Sequence, residues 1–227
     1  MRSLPPLAGN GVAVAVHSAG KPREHDSAAL HVSGAAHYVD DLKAPRELLH
    51  AAVGLTEIAC GEVLCLDLDA VRSAPGVVAV LTLDDVPGHT DIGPVFPGDP
   101  LLAGERVKYH GQALFAVAAE TLVQARRAVR LAKVEYAKQD PLIDPLQAKA
   151  EERFVRPPHH MRRGDADAAL AKAPRVLEAR QFIGGQEHFY LEGQASLALP
   201  TDDGGMLVHT SSQHPSEVQK LVAEVLA

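Results

Sequence analysis

GGQEHFYLE (residues 184–192) gathers two glycines, one amide, three ionisable groups and two aromatic rings within nine residues. The chain is otherwise poor in aromatic side chains, which make up 4% of it. A pair of glycines lets the backbone turn or lets another group approach it closely. The pattern alone favours a strand corner, in which the polar residues 186–188 lead into a buried edge at 189–191. A shaped polar contact at the two glycines is the alternative that these residues leave open.

The composition limits the classes of function open to the chain. Its 227 residues are enough for one large domain or two modest ones with a sizeable core. The formal net charge of -7 argues against nucleic acid or an anionic membrane as partner, because phosphate binding needs clustered Lys and Arg. The apolar run at 12–16 is too short for a signal peptide or a membrane span. We therefore expect a cytoplasmic protein with no nucleic-acid or membrane partner.

The cysteines and histidines do not predict a metal centre. Cys60 and Cys65 are too few for a disulfide framework and lack the second ligand pair of a zinc site, so we interpret them as small hydrophobic residues. An iron–sulfur cluster needs about four thiolates, so any electron relay must lie outside this chain. The histidines at 159–160, and His209 with His214, have no third ligand at a suitable spacing.

The first half of the chain has the pattern of a mixed α/β domain behind a peripheral tail at residues 1–23. Asp69 predicts the cap of a short helix, and Thr121 with Gln124 predicts the capping box of another. Residues 88–104 are rich in Pro and Gly and predict a long loop. Strands are predicted at 48–55, 63–68, 77–82, 113–119 and 134–136.

The second half begins with a proline-rich break at 140–158, which we interpret as an interdomain crossing. A short helix is predicted at 165–172, a hairpin turn at 201–205, and a terminal helix with Pro215 in its first turn. The apolar stripe of this helix needs a partner that we do not expect the chain to provide, so we expect a fragment or one half of a split protein. The stripe consists of Val218, Leu221, Val222, Val225 and Leu226. Further strands are predicted at 175–183, 191–199 and 206–210.

Two separate stretches carry a family resemblance. The run GGQEHFYLEGQASLALP (184–200) resembles a segment of the molybdopterin-binding subunit of bacterial xanthine dehydrogenases, in the xanthine oxidase and aldehyde oxidase family. The run HDSAALHVSGAAHYVDDL (25–42), with its Ser-Gly-x-Ala-x-Tyr-x-x-Asp motif, resembles the opening of that subunit. The resemblance implies an α+β protein, with a hammerhead-like α/β domain followed by the truncated start of a molybdopterin-binding domain. The expected organisation is a tail at 1–23, the hammerhead domain at 24–138, a linker at 139–164 and the incomplete molybdopterin-binding domain at 165–227.

The same resemblance implies a chemistry. It is the hydroxylation of hypoxanthine and xanthine to urate with water as the oxygen source, on a molybdenum–molybdopterin cofactor shared with a missing C-terminal part. Electrons pass to Fe-S clusters and FAD on a partner subunit and then to NAD. Gln186 matches the family glutamine beside the oxygen ligands of molybdenum, and a neutral amide suits that position. The implied partners are the Fe-S/FAD subunit, the rest of the molybdenum subunit and a purine substrate.

No catalytic residue is expected within the chain, because the family's base lies beyond the C-terminus. Glu187 and His188 are expected to hold the corner or to line the wall outside the metal, and the isolated chain is expected to be inactive. Two alternatives stay open. One is a related molybdenum hydroxylase acting on an aldehyde or another heterocycle. The other is a non-catalytic fragment whose hammerhead surface binds the Fe-S/FAD subunit.

Overall fold

The computed structural model describes residues 20–227. The predicted tail at 1–23, apart from its last four residues, and the apolar run at 12–16 lie outside the described residues. Two compact units make up the described chain: residues 20–42 with 195–211, and residues 43–194 with 212–227.

In the first unit, the Ser-Gly-x-Ala-x-Tyr-x-x-Asp motif consists of two helix-end signals. Helix α1 (Ala28–Ser33) ends at Gly34, whose φ of +73° is readily adopted by glycine. Four residues on, the backbone N–H of Tyr38 donates to the carboxylate of Asp41 at 2.9 Å and begins a 3₁₀ turn at Val39–Asp41. The motif is therefore explained by local hydrogen bonding.

The other part of this unit is an antiparallel hairpin of β7 (Ser196–Pro200) and β8 (Met206–Thr210), which confirms the predicted turn between them. The N–H of Thr201 donates to the carbonyl of Gly205 at 3.0 Å, and Gly204 has a φ of +83°. The strand predicted at 191–199 begins only at residue 196.

The second unit contains six strands: β1 His50–Leu55, β2 Gly61–Asp67, β3 Val77–Leu81, β4 Arg106–Val107, β5 Ala113–Ala119 and β6 Lys133–Lys138. They form two three-stranded antiparallel sheets, in the orders β1-β5-β3 and β4-β2-β6. Five of the strands confirm predicted ones to within a few residues. The sixth, β4, is short and pairs only with Gly61 and Glu62.

Helices α2 (Asp69–Arg72) and α3 (Leu122–Val129) accompany these sheets. The predicted cap on α3 is confirmed, because the Thr121 hydroxyl accepts from the N–H of Gln124 at 3.2 Å. The predicted cap on α2 is wrong: Asp69 is the first helical residue, and the carboxylate of Asp67 accepts from its N–H at 3.0 Å. The buried core of this unit includes Leu68, Val71, Ala103, Leu114, Phe115, Val117 and Ala128.

In the stretch of sequence between β6 and β7, the strand predicted at 175–183 is wrong, since residues 174–190 form no regular element. Its apolar pattern suits a strand, but no neighbouring strand among residues 20–227 pairs with it. The predicted helix at 165–172 is confirmed as α5 (Ala166–Lys172), capped by the Asp165 carboxylate. A further helix, α4 (Pro145–Ala150), lies within the segment predicted as a linker.

Helix α6 (Pro215–Leu226) has the predicted proline in its first turn. Two carbonyls at its C-terminal end accept hydrogen bonds from the 88–104 loop, whereas its apolar stripe lines an open apolar pocket with Ile92 and Leu101, so the expectation that the stripe needs a partner from outside the chain stays a prediction. Gly88 N–H donates to Val225 O at 3.0 Å, and His89 N–H donates to Glu224 O at 2.7 Å. Within residues 20–227, none of the helices combines the length and apolar character needed to cross a membrane.

Candidate functional site

Residues 184–192 follow an irregular, solvent-facing path. Phe189 is 93% exposed and Leu191 is 86% exposed, so the buried edge predicted at 189–191 is wrong. A strand edge buries its side chains only when another element packs on it, and within residues 20–227 no strand pairs with this stretch. The aromatic and apolar side chains of the stretch are therefore accessible in this chain.

The two glycines and Gln186 form the most open part of the stretch. A Cβ placed on Gly184 or on Gly185 would meet no atom within 4 Å. The Gln186 side chain is exposed, and its amide makes no hydrogen bond within the described part of the chain. Gly184, Gly185 and Gln186 can together receive an external group, since the glycines permit a close approach and a neutral amide both donates and accepts.

Glu187 organises the turn that follows. Its carboxylate accepts from the backbone N–H of His188 at 3.1 Å and faces the N–H of Phe189 at 3.5 Å. Phe189 has a φ of +51°, and a bulky residue in this left-handed region loses about 1–2 kcal/mol. The carboxylate thus holds the corner locally, as one of the two roles expected for Glu187.

Asp91 organises the long loop at 88–104, and sequence reasoning missed it. Its carboxylate accepts from the backbone N–H groups of Gly93 at 2.9 Å, Gly98 at 2.6 Å and Asp99 at 3.3 Å. The N–H donors, Gly93 first and then Gly98, lower the pKa of Asp91. An Asp two residues before a Gly in a Pro- and Gly-rich segment is the signal that predicts such a turn.

An apolar cavity of about 410 Å³ lies between the β1-β5-β3 sheet, the loop and the end of α6. Among the described residues at its wall, Asp85 has the only carboxylate, which is already bonded to the N–H of Thr82 at 2.7 Å and to its hydroxyl at 2.8 Å. These two bonds lower the pKa of Asp85, the backbone donor more than the hydroxyl. The cavity lacks the convergent polar groups that orient a substrate, so we do not take it for a catalytic site. Its apolar lining includes Val53, Leu81, Leu101, Ala116, Val225 and Leu226.

The remaining metal-ligating residue types lie apart from one another. Across residues 20–227, no three His, Cys, Asp or Glu side chains are grouped so that they could hold a metal ion. Both cysteines are free thiols. Cys60 is half-buried, whereas Cys65 is exposed and does not fill the core position expected of a small hydrophobic residue.

Comparison with known families identifies the two parts of the chain. The family described as "Aldehyde oxidase and xanthine dehydrogenase, a/b hammerhead domain" matches residues 33–140. The family described as "Molybdopterin cofactor-binding domain" matches residues 146–227. The protein is thus of the molybdenum hydroxylase class. More particularly, the chain belongs to the aldehyde oxidase and xanthine dehydrogenase family.

Individual relatives are similar over nearly the whole chain. Xanthine dehydrogenase from Calliphora vicina is 36% identical over 211 residues, which cover 92% of this chain and 16% of the relative. Aldehyde oxidase 4 from Cavia porcellus is 35% identical over 209 residues, covering 91% of this chain and 15% of the relative. The chain therefore spans about 16% of the length of the curated relatives that it matches.

Solved structures share the fold. Aldehyde oxidoreductase from Desulfovibrio gigas superposes with a TM-score of 0.71 at 26% identity, over 82% of this chain and 23% of that one. Quinoline 2-oxidoreductase from Pseudomonas putida 86 gives a TM-score of 0.70 at 21% identity, over 88% of this chain and 28% of that one. The predicted α+β fold, a hammerhead domain followed by the start of a molybdopterin-binding domain, is confirmed. The domain bounds expected from the sequence stay a prediction, as does the role of Gln186.

Proposed function

We propose that the chain is the N-terminal part of the molybdenum subunit of a xanthine dehydrogenase that converts hypoxanthine and xanthine to urate. The observation that carries the proposal is the accessible stretch at Gly184, Gly185 and Gln186, inside the region matched by the molybdopterin cofactor-binding family. The similarity to xanthine dehydrogenase along 92% of the chain supports it.

Gln186 is the residue that we propose lies beside the molybdenum cofactor. Its amide is neutral at all working pH values, so it can donate to an oxygen atom on the metal side without adding charge. The two open glycines before it leave room for that approach. Glu187 contributes indirectly, because its carboxylate fixes the turn that follows Gln186. When bound, the cofactor supplies the redox chemistry of the hydroxylation, and the protein supplies orientation.

The remaining components of the proposed enzyme lie outside this chain. The Fe-S clusters and FAD are assigned to a partner subunit, which takes the electrons on to NAD. The rest of the cofactor site and the catalytic base are assigned to the remainder of the molybdenum subunit. The cytoplasmic location expected from the sequence is retained as part of the proposal.

The similarity to aldehyde oxidases supports a second candidate, an aldehyde hydroxylase, almost equally. The identity to aldehyde oxidase 4 from Cavia porcellus is 35%, against 36% for xanthine dehydrogenase from Calliphora vicina. The hammerhead region and the start of the molybdopterin-binding domain thus leave the substrate open between the two.

The experiment is a purification of the native protein that contains this chain, followed by measurement of its polypeptide mass, its molybdenum content and its turnover. An antibody against residues 24–138 identifies the polypeptide. A molybdenum-containing protein that turns over xanthine faster than an aldehyde supports the proposal. A preference for the aldehyde supports the second candidate. A protein without molybdenum overturns both and favours the non-catalytic role.

The role of Gln186 is tested in the same holoenzyme with Gln186→Ala. Loss of one preorganised donor lowers kcat by about 10²-fold. Gln181→Ala is the matched control, because Gln181 lies in the same exposed segment and its side chain, within residues 20–227, bonds only to the carbonyl of the next residue, Phe182. Equal activities of the two variants, at equal molybdenum content, would remove Gln186 from the site.

A further inference from the structure

Helix α6 presents its apolar stripe to an open groove of about 320 Å³. The stripe repeats at the three- and four-residue spacing of a packed helix face. Within the described chain, however, none of the twelve residues of the helix is completely buried. Ile92 and Leu101 of the 88–104 loop line the groove together with the stripe. The loop thus gives the stripe only part of the cover that such a face needs.

The groove adjoins the apolar cavity on the β1-β5-β3 sheet, and Leu101, Val225 and Leu226 line both. In that cavity, Val53 on β1 and Leu81 on β3 each pair with Ala116 on the central strand. Residues paired across strands point to the same face of a sheet, so these three form one apolar row. Val53 is 46% exposed and Leu81 is 49% exposed. An uncovered apolar surface therefore runs from the middle of the sheet to α6.

The chemistry of this surface selects what can cover it. Every side chain that lines the groove beside α6, among the described residues, is apolar. A small polar ligand would find no group there to orient it. An extended segment would bury its N–H and C=O groups without partners, because the main-chain bonds of a sheet run within the sheet and not out of its face. A helix satisfies its own backbone and can bring a matching apolar face.

The length of the relatives indicates where such a helix comes from. Xanthine dehydrogenase from Calliphora vicina matches this chain over only 16% of its own length. The backbone nitrogen of Ala227 lies 2.9 Å from the Cβ that Gly88 would carry, beside the loop that lines the groove. In the longer subunit proposed above, the polypeptide thus continues from the rim of the groove. A segment tethered there reaches the groove at a high effective concentration.

A second copy of this chain is a poorer occupant. Its own α6 is held to its own 88–104 loop by the bonds from Gly88 to Val225 and from His89 to Glu224. That helix would have to break both bonds before it could enter the groove of another copy.

We propose that an amphipathic helix from the remainder of the molybdenum subunit docks in this groove, across the α6 stripe and the row of Val53, Ala116 and Leu81. The inference rests on the proposed function, which supplies that remainder. It adds the surface on which the two parts of the subunit meet. The docked helix also packs on Ile92 and Leu101, so it holds the 88–104 loop in place.

The first test is thiol labelling at Leu226→Cys, in the native protein that contains this chain and in the 227-residue chain alone. Leu226 lies in the groove and is 54% exposed. In the native protein, labelling is expected to be at least about tenfold slower than in the chain alone, because a covered position reacts only through local opening. Equal rates in the two forms would overturn the proposal.

Val123→Cys is the matched control, since Val123 is 57% exposed and lies outside the groove on α3. In the chain alone, positions 123 and 226 are expected to react at similar rates. The rates are measured for each peptide by mass spectrometry, which separates the new thiol from Cys60 and Cys65. Labelling in urea gives the complete reaction for each position.

The second test identifies the occupant with a photo-crosslinking amino acid in place of Leu226 in the native protein. A crosslink to a peptide beyond residue 227, within a single polypeptide, supports the proposal. A crosslink to a second copy or to another subunit overturns it, as does the absence of a crosslink or a native polypeptide that ends at residue 227. Neither test uses turnover. A covered groove in a protein that prefers an aldehyde keeps this inference and removes the proposed substrate, and xanthine turnover with an uncovered groove does the reverse.

Discussion

Replacing Gly88 by alanine tests whether the loop backbone holds the end of helix α6. A Cβ on Gly88 would lie 2.1 Å from the carbonyl oxygen of Glu224, 2.9 Å from that of Val225 and 2.9 Å from the nitrogen of Ala227. All three are backbone atoms, so no flexible side chain can move aside. The loop and the helix must separate to make room, which breaks the bonds that Gly88 and His89 donate to the helix.

The size of the effect follows from those two bonds. Each contributes about 0.5–1.5 kcal/mol, so the contact loses about 1–3 kcal/mol, which is about a 5- to 150-fold change in the equilibrium between docked and undocked helix. Because α6 is the terminal element, the loss is local opening and not global unfolding. Additional loss comes from the apolar cover that Val225 and Leu226 give the cavity.

The assay is amide hydrogen exchange on the 227-residue chain, followed at His89 and along Pro215–Leu226. Gly88→Ala is expected to lower protection at His89 by about 5- to 150-fold and to speed exchange in the last turns of α6. Gly193→Ala is the matched control, since a Cβ there meets no atom within 4 Å. Unchanged protection in Gly88→Ala would show that the loop accommodates a methyl group, and the proposed main-chain contact would be refuted.

Three further predictions concern the loop, the core and the isolated chain. Asp91→Asn replaces one acceptor oxygen by a donor and loosens the loop. In the parent chain, folding lowers the pKa of the Asp91 carboxyl, so its hydrogen bonds are complete above the ordinary Asp range and are lost as pH falls through the lowered pKa. An acid titration of the Gly98 amide signal checks this loss. A signal that does not move in acid would contradict this. Gly54→Ala places a Cβ 2.1 Å from the Phe115 ring and destabilises by about 1–3 kcal/mol, whereas adding Phe115→Leu is expected to recover part of the loss in urea unfolding. Equal urea midpoints for the single and double variants would contradict the predicted clash between the new Cβ and the Phe115 ring. The purified 227-residue chain is expected to turn over no xanthine, because the proposal assigns the catalytic base and the rest of the cofactor site to the remainder of the molybdenum subunit; measurable urate would overturn that expectation.

The elements that sequence reasoning recovered are those whose signals are local. The hairpin at 196–210 and the start of α3 depend on turn and cap residues within a few positions of one another, such as Thr201 and Thr121. Asp69 shows the limit of such signals, because it is the first residue of α2 and not its cap, and its N–H donates to the carboxylate of Asp67.

The features that were missed depend on partners distant in sequence. The segment 175–183 has a strand pattern, but a strand forms only against a neighbour. Asp91 bonds residues up to eight positions away, and periodicity does not report such a contact. Gln186 was reached through family resemblance, since its residue type and spacing are equally typical of an ordinary strand corner.

The sheet order of the hammerhead region also determines when its strands can pair during synthesis. His50 on β1 pairs with Ala119 on β5, and Asp67 on β2 pairs with Lys133 on β6. On the ribosome, β1 and β2 must therefore wait for about half of the chain to emerge, with their apolar faces uncovered. Helix α1 is formed by hydrogen bonds among near neighbours and needs no such delay. The nascent chain is thus most open to mispairing before β6 is made.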